Sequence, residues 1–316
     1  MSIKKIITGL SVQQEYGCID LLKFNTGLSV YLGVPNSSYS LDVTKNHLFL
    51  GYKPLIIGLV FPHDVTNSSV IYENQIHLHF KASDDKTLAT LTLRRISQEI
   101  YGESTLVIYE GIRGTHKFLS GLHQFINRFR DSRKVRATGN VDLTGNLYDQ
   151  VRIAYAIPRI IAVITVQDGK LMNMFPTDLH GPINDTHYIG SLRIGGMANE
   201  QVEQHKKIVL SLVNASGFKE VYGLGKNHMQ PVQPPENFQT SEERSSVFSI
   251  PLPAMMNAYY ELELDSSADI GIHRLHVYRI VNRYRNPDSS SCLSHVHQYY
   301  IQWREDHSLP LQILKR

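Results

Sequence analysis

The chain has 316 residues, a formal net charge of +3, an apolar fraction of 42% and a charged fraction of 19%. These values are ordinary for a globular protein and exclude a disordered, collagen-like or coiled-coil chain. The basic excess is small and scattered, so the composition predicts no nucleic-acid partner.

Targeting and redox signals are sparse. No apolar run approaches the roughly 20 residues of a membrane helix, and the first residues lack the apolar core of a secretion signal. We therefore expect a cytoplasmic protein without a membrane partner. Cys18 and Cys292 have no metal-ligand spacing and are expected to be reduced thiols.

The first part of the chain predicts an α+β domain. Extended segments are expected at Leu55–Phe61, Gln75–Phe80, Thr87–Arg95 and Ser104–Tyr109, from continuous or alternating apolar residues. An amphipathic helix is expected over Thr115–Phe129, with Thr115 as N-cap and a buried stripe. The residues of that stripe are Phe118, Leu119, Leu122, Phe125, Ile126 and Phe129.

A domain boundary is predicted where the composition changes. Arg128–Arg136 is polar and charged, and turn-forming residues follow it at 137–140. We therefore expect an unassigned α+β domain over residues 1–136 and a second domain over residues 137–316.

The second domain is rich in short strands and tight turns, which predict a β-barrel. Strands are expected at Arg159–Val166, Leu171–Phe175, Tyr188–Ile194, Ile208–Asn214, Tyr259–Leu264 and Ile272–Val281. Gln167–Lys170 is a hairpin turn centred on Asp-Gly, and Asn199–Lys207 is a short helix. Gln230–Ser246 is expected to be a surface loop or mobile lid.

The sequence shows no convincing internal repeat. Lys53–Ile57 (KPLII) echoes Ile157–Ile161 (IPRII), but the spacings that follow do not match. We therefore expect the echo to be coincidental.

Motifs of several enzyme classes are missing from the sequence. It contains no dinucleotide fingerprint, P-loop, zinc-protease motif or hydrolase nucleophile elbow. His77 and His79 lack further ligands at suitable spacing, so no metal is expected. His295 and His297 are expected to be surface residues of an extended tail.

The order of features from Pro158 onward carries a family resemblance. A proline precedes an apolar strand, an Asp-Gly hairpin and a loop with Asn, Pro and Thr (IPRIIAVITVQDGKLMNMFPTDLHG). A strand (YIGSLRIGG), a polar helix and a strand ending in Val-Asn (ANEQVEQHKKIVLSLVNAS) come next. With the later strands, this order resembles the flavin reductase-like, FMN-binding split-barrel family over about half the chain.

The resemblance implies an FMN site, with FAD as the alternative flavin. The loop after the second strand would meet the flavin ring, Arg193 and the following helix start would meet the phosphate, and His273 would lie near the nicotinamide. The implied flavin contacts are Asn173, Pro176, Thr177, Asp178, Leu179, Ser191, Leu192, Arg193, Asn199, Asn214, Ser216 and Lys219. Lys219 is a second candidate partner for the phosphate.

The resemblance also implies a function. It predicts an NAD(P)H-dependent flavin reductase in which hydride passes from nicotinamide to flavin N5, with His273 orienting or protonating the reacting pair. Two alternatives stay open: a non-catalytic flavin carrier or sensor, and a degenerate barrel that acts as an interaction module. Relatives dimerise near the flavin, so a homodimer is expected.

Overall fold

The computed structural model describes residues 3–11, 14–24, 26–62, 73–131, 141 and 143–314. The mainly β class with additional helices, predicted from the sequence, is confirmed. The predicted boundary stretch lies largely outside the described residues, and so does the turn at 137–140.

The described strands form two seven-stranded sheets and two smaller ones. The elements up to residue 160 are α1 (Ile3–Thr8), β1 (Tyr16–Asp20), β2 (Leu28–Gly33), β3 (Ser40–Asp42), β4 (His47–Gly51), β5 (Ile56–Pro62), β6 (Gln75–Ala82), β7 (Thr87–Tyr101), β8 (Ser104–His116), α2 (Gly121–Asp131), α3 (Asn146–Ala154) and β9 (Arg159–Ile160). The later elements are β10 (Ala162–Asp168), β11 (Leu171–Thr177), β12 (His180–Pro182), β13 (His187–Arg193), α4 (Met197–His205), β14 (Lys207–Val213), α5 (Phe218–Gly223), β15 (Thr240–Arg244), β16 (Pro251–Pro253), β17 (Met256–Ile270), β18 (His273–Arg285), β19 (Leu293–His297) and α6 (Gln298–Asp306).

The second large sheet closes into a barrel, as predicted. Its antiparallel strand order is β11-β10-β14-β17-β18-β13-β12. The two edge strands, β11 and β12, follow each other directly in the chain, and the Ser191 amide donates to the Leu179 carbonyl between them (2.9 Å). The edges must therefore meet, which removes the exposed sheet edges. We call β10–β14, β17 and β18 the C-terminal barrel.

The first large sheet has the same topology. Its order is β3-β2-β6-β7-β8-β5-β4, again antiparallel throughout. If the strands of each sheet are numbered in chain order, the same order of numbers describes both sheets. The edge strands β3 and β4 also follow each other in the chain. We call β2–β8 the N-terminal barrel.

The long hairpins of the two barrels match residue by residue. Each joins a 15-residue strand to a 13-residue strand. The register shifts between Thr92 and Leu93 in one hairpin, and between the counterparts Glu261 and Leu262 in the other. A second shift, at Arg95/Ser97, recurs at Leu264/Ser266.

A charge-reversed ion pair also recurs. Arg94 pairs with Glu110 in the first hairpin, and Glu263 pairs with Arg279 at the counterpart positions of the second. The chain thus contains an internal structural repeat, and the prediction of no repeat from the sequence is wrong. The connection between β14 and β17 is much longer than the turn between β6 and β7. The spacing of strands along the sequence therefore does not reveal the repeat.

The two barrels pack against each other through equivalent strands. Their shared apolar core, the barrel interface, takes side chains from β4, β5, β7 and β8 on one side and from β13, β18 and the residue after β12 on the other. Its buried members are Leu50, Ile56, Val60, Tyr101, Leu106, Ile108, Ile183, Ile189, Leu275 and Val277.

The contacts across the barrel interface are reciprocal. The turn after β4 lies on the β17–β18 turn, where a Cβ on Gly271 would lie 2.3 Å from the Lys53 carbonyl oxygen. The turn after β12 lies on the β7–β8 turn, where Asn184 Nδ2 donates to the Tyr101 carbonyl (2.7 Å). The arrangement has the self-complementarity of a two-fold interface, here within one chain.

The predicted helix over Thr115–Phe129 begins too early. Thr115 lies in β8, opposite Thr90 of β7, and the helix starts at Gly121. The strand continues because its ladder with β7 satisfies the backbone donors there. Phe118 and Leu119 are buried, whereas Leu122, Phe125 and Phe129 are exposed, so only part of the predicted stripe is buried.

The chain ends of the described structure meet in a third sheet of order β1-β19-β9. His295 and His297 lie on β19, opposite Cys18 and Tyr16 of β1. His297 is fully buried and His295 is largely buried, so the predicted surface position of both is wrong. Helices α3 and α6 share the core of the N-terminal barrel, and the division at residue 136 stays a prediction.

The two hairpin glycines offer a matched stability test. Gly102 and Gly271 are counterparts with φ of +57° and +60°, but nothing lies near a Cβ on Gly102. We expect Gly102→Ala to lower the free energy of unfolding by about 1–2 kcal/mol through the backbone alone. Gly271→Ala should lower it by a further ~1–3 kcal/mol through overlap with Lys53. Urea denaturation measures both, and equal losses would contradict the close contact of the barrels.

Candidate functional site

Several predicted residues meet at the end of the barrel interface. Ser191 of β13 and His273 of β18 lie on neighbouring strands, with Ser191 Oγ 3.1 Å from His273 Nδ1. Both side chains are buried. Arg193, the last residue of β13, is opposite His273 in the ladder, and its side chain is exposed. The Tyr52 ring of the N-terminal barrel packs edge-on against the His273 ring, with centroids 4.6 Å apart.

The surroundings of His273 keep its imidazole neutral. Burial, and then the nearby positive charge of Arg193, lower the pKa of His273 to about 4, while the Tyr52 backbone opposes this shift. At neutral pH the ring therefore holds one proton, which it can donate in a hydrogen bond.

The start of α4 provides a place for an anion. Its N-cap is Gly196, which has no side chain to bond the first amides of the helix. The Gly196 amide is 3.3 Å from the Arg193 carbonyl, so Arg193 lies close to the helix start in the chain and in space. The first amides of the helix, its positive end and a guanidinium fit a phosphate group.

Asp178 is held by protein partners. Its Oδ2 accepts hydrogen bonds from Tyr155 Oη (2.8 Å) and His295 Nδ1 (3.0 Å). Burial raises the pKa of Asp178, but the bonds from His295 and Tyr155 outweigh burial and hold it below its usual value. Burial alone would lower the pKa of His295, whereas Asp178 and Cys18 raise it to about 9.

This network was not anticipated from the sequence. Tyr222 Oη bonds to His295 and lies 3.1 Å from Cys18 Sγ, which extends the chain of contacts to β1. The pairing of β1 with β19, two strands from opposite ends of the chain, brings these groups together. The only local signal was the pair of histidines on a strand-like tail.

Asn173 and Asn199 lie in the packing of α4 against the barrel. Asn173 Nδ2 donates to Gln201 Oε1 (2.8 Å) and to the Asn227 carbonyl (3.0 Å). Both asparagines are buried, and their Oδ1 atoms have no hydrogen-bond partner within the described part of the chain. The amide nitrogen of Asn173 is therefore bonded to protein, and the amide oxygens of both residues are buried inside it.

The other predicted contacts lie along the strands and at the far end of β14. Thr177 and Leu179 are buried beside the β11–β12 link, and Leu192 belongs to the core of the C-terminal barrel. The Pro176 carbonyl accepts from His228 Nε2 (2.7 Å).

Asn214 follows β14 and caps a short turn through Ser216, whose amide donates to Asn214 Oδ1 (2.9 Å). Ser216 and Lys219 are exposed. These three residues lie beyond the end of β14, whereas Ser191, Arg193 and His273 lie on β13 and β18.

A flavin fits these residues at its phosphate end more clearly than at its ring. Arg193 and the α4 start suit the phosphate, and Ser191 and His273 offer polar groups nearby. The side chains of Asp178 and Asn173 are already bonded to protein, so the ring edge would have to meet backbone groups of residues 176–179. Among the described residues, no group of three or more His, Cys, Asp or Glu is arranged to hold a metal ion.

No described helix combines the length and apolarity that crossing a bilayer requires. No protein-family model and no curated protein matches the chain. Solved structures do match about half of it. One is an FMN-binding protein from Thermus thermophilus, 19% identical, with a TM-score of 0.39, covering 49% of this chain and 82% of that one.

Two further similar structures are reductases. An NADH:FAD oxidoreductase of Streptomyces globisporus is 14% identical, with a TM-score of 0.42, over 49% of this chain and 92% of that one. The styrene monooxygenase flavin reductase of Pseudomonas putida is 18% identical, with a TM-score of 0.36, over 43% and 87% of the two chains.

The Asp178–His295 pair predicts a pH-dependent stability. The raised pKa of His295 adds fully to the free energy of unfolding below the unfolded pKa of about 6.5. This stabilisation is lost as the pH rises through about 9. Asp178 contributes above its usual pKa and loses its contribution only as the pH falls below that value. Wild-type stability should therefore decline between these two pKa values of His295, by up to ~3 kcal/mol.

Asp178→Asn should be less stable at pH 6 and should flatten this decline, as measured by urea unfolding across the pH range. Asp185→Asn, which alters an exposed ion pair with Arg283, is the matched control and should follow the wild type. An unchanged slope in Asp178→Asn would show that the pair does not govern His295.

Proposed function

We propose that the chain binds FMN and acts as an NAD(P)H-dependent flavin reductase. The observation that carries this proposal is the grouping of Arg193, the uncapped start of α4 and the buried Ser191–His273 pair. These residues lie on β13, α4 and β18, which belong to the part of the sequence that resembles the flavin reductase family. A bound flavin would supply the hydride-accepting chemistry, with NAD(P)H as co-substrate.

The residues of this chain would bind the flavin and orient it. Arg193 and the first amides of α4 hold the phosphate, and the loop over residues 176–179 offers backbone groups to the ring. The barrel interface beneath His273 is apolar and excludes water from one side of the site. Lys219, at the far end of β14, is the competing phosphate partner.

His273 acts as an orienting group in this proposal. A pKa near 4 leaves almost no protonated imidazole at neutral pH, so protonation of a reacting group by His273 is disfavoured. The neutral ring can still orient the site through Ser191, whose Oγ lies 3.1 Å from its Nδ1. Hydride transfer needs no strong acid, which makes this compatible with reductase activity.

A flavin carrier or sensor without turnover is the second candidate. The observation that favours it is the burial of His273 beneath the Tyr52 ring, which limits the access of a nicotinamide to this side chain. Binding is tested by visible absorption of the purified protein after incubation with excess FMN and desalting. A retained flavin spectrum supports both candidates, and steady NADH or NADPH oxidation then selects the reductase. A colourless protein would contradict both.

The phosphate assignment predicts a ligand-specific loss. Arg193→Ala removes a charge-assisted bond worth about 1.5–3 kcal/mol, so FMN affinity should fall roughly tenfold to a hundredfold. Riboflavin, which lacks the phosphate, should bind the variant and the wild type equally. Flavin fluorescence quenching measures both ligands. If Lys219→Ala shows the FMN-specific loss instead, the phosphate belongs at the end of β14.

His273 predicts a pH profile. Because its pKa is about 4, the rate of NAD(P)H oxidation should show no inflection from this group between about pH 5.5 and 8. His273→Ala should lower the rate, and His273→Gln, which keeps a hydrogen-bond donor, should recover part of it. Unchanged kinetics in His273→Ala would remove this residue from the mechanism.

A further inference from the structure

The internal repeat places one cluster of equivalent positions in each barrel. The ladder pairs Arg193 with His273 in the C-terminal barrel and Pro62 with Ser104 at the counterpart positions of the N-terminal barrel. Similarly, Ser191 lies opposite Leu275, and its counterpart Val60 lies opposite Leu106. The repeat thus defines two related positions, one at each end of the barrel interface, which we call the His273 cleft and the Ser104 cleft.

Each cleft is completed by the other barrel. The turn over residues 52–55, from the N-terminal barrel, covers the cleft at His273, where the Tyr52 ring meets the imidazole. The counterpart turn, over residues 183–186, borders the cleft at Ser104, a cavity of about 840 Å³. In addition, Leu48 and Gly181 are counterparts in the two barrels and touch each other, as residues near a two-fold axis do.

The two clefts differ in chemistry. The His273 cleft has a guanidinium, a hydroxyl and an imidazole, whereas the counterpart positions hold proline, valine and serine. Lys45 and Arg283 line the Ser104 cleft, where Arg283 is paired with Asp185 (2.9 Å). Among the described residues, the set of guanidinium, hydroxyl and imidazole that suits an anionic nucleotide is therefore found at one cleft only.

We propose that the N-terminal barrel takes the place of a second subunit, so that one chain forms a complete two-barrel unit with a single FMN site at the His273 cleft. Tyr52 is the residue that the N-terminal barrel contributes to this site. The location of the ligand rests on the proposed function, whereas the pairing of the barrels rests on the repeat and its reciprocal contacts. This arrangement competes with the homodimer expected from the sequence, which stays a prediction.

The first test combines mass and stoichiometry on the full chain. Light scattering should give the mass of one chain, 35.9 kDa, and calorimetric titration with FMN should give one site per chain. A stable dimer would contradict the proposal that the N-terminal barrel takes the place of a second subunit. Two bound FMN per chain would contradict the single site. A monomer that binds no FMN would contradict the proposed function and the site, while the intramolecular pairing would stand.

The second test compares one variant in each of the two counterpart turns. Tyr52→Ala should weaken FMN binding about tenfold, because an aromatic contact to the site is lost. Thr186→Ala changes an exposed residue of the counterpart turn at the other cleft and should leave FMN affinity within twofold of wild type. Thermal unfolding of both variants checks that they fold, and Tyr52→Leu replaces Tyr52→Ala if the latter does not. Equal FMN affinity in Tyr52→Leu and wild type would remove the N-terminal barrel from the site.

Discussion

The packing of the two barrels against each other is the constraint on which the candidate site depends. Apolar side chains from equivalent strands fill the barrel interface, and their burial is the main favourable term that holds the barrels in register. The close approach of Lys53 to Gly271 fixes the turn that carries Tyr52. The position of Tyr52 over His273 therefore follows from the interface as a whole, and no local bond between the two rings is needed.

The same interface explains why equivalent positions have different chemistry. Val60 contributes to the shared apolar core, while the hydroxyl of its counterpart Ser191 forms a hydrogen bond with His273. Burying a hydroxyl without a partner would cost free energy, and His273 Nδ1 provides the partner of the Ser191 hydroxyl. A fold repeated twice in one chain can thus keep its stabilising contacts in both copies and concentrate polar groups in one.

A buried ionic network links the chain ends to the loop beside the site. Asp178 lies next to Leu179, whose carbonyl accepts from the Ser191 amide, and it is bonded by Tyr155 and His295 from outside the barrel. Charges this deep persist only when they are paired. The network therefore fixes the loop over residues 176–179 through the small sheet of β1 and β19, and it leaves backbone groups as the part of that loop that can meet a ligand.

The sequence by itself determined the mainly β class, the strands of the C-terminal barrel and the short helix α4, because alternation, apolar runs and turn residues are local signals. It also singled out Ser191, Arg193 and His273 through their order along the chain. Only the tertiary structure decided that the N-terminal part is a second barrel of the same topology, since the two copies share register and bulges rather than residues. The partners of Asp178 and the contribution of Tyr52 likewise depend on strands far apart in the chain, which only long-range packing brings together.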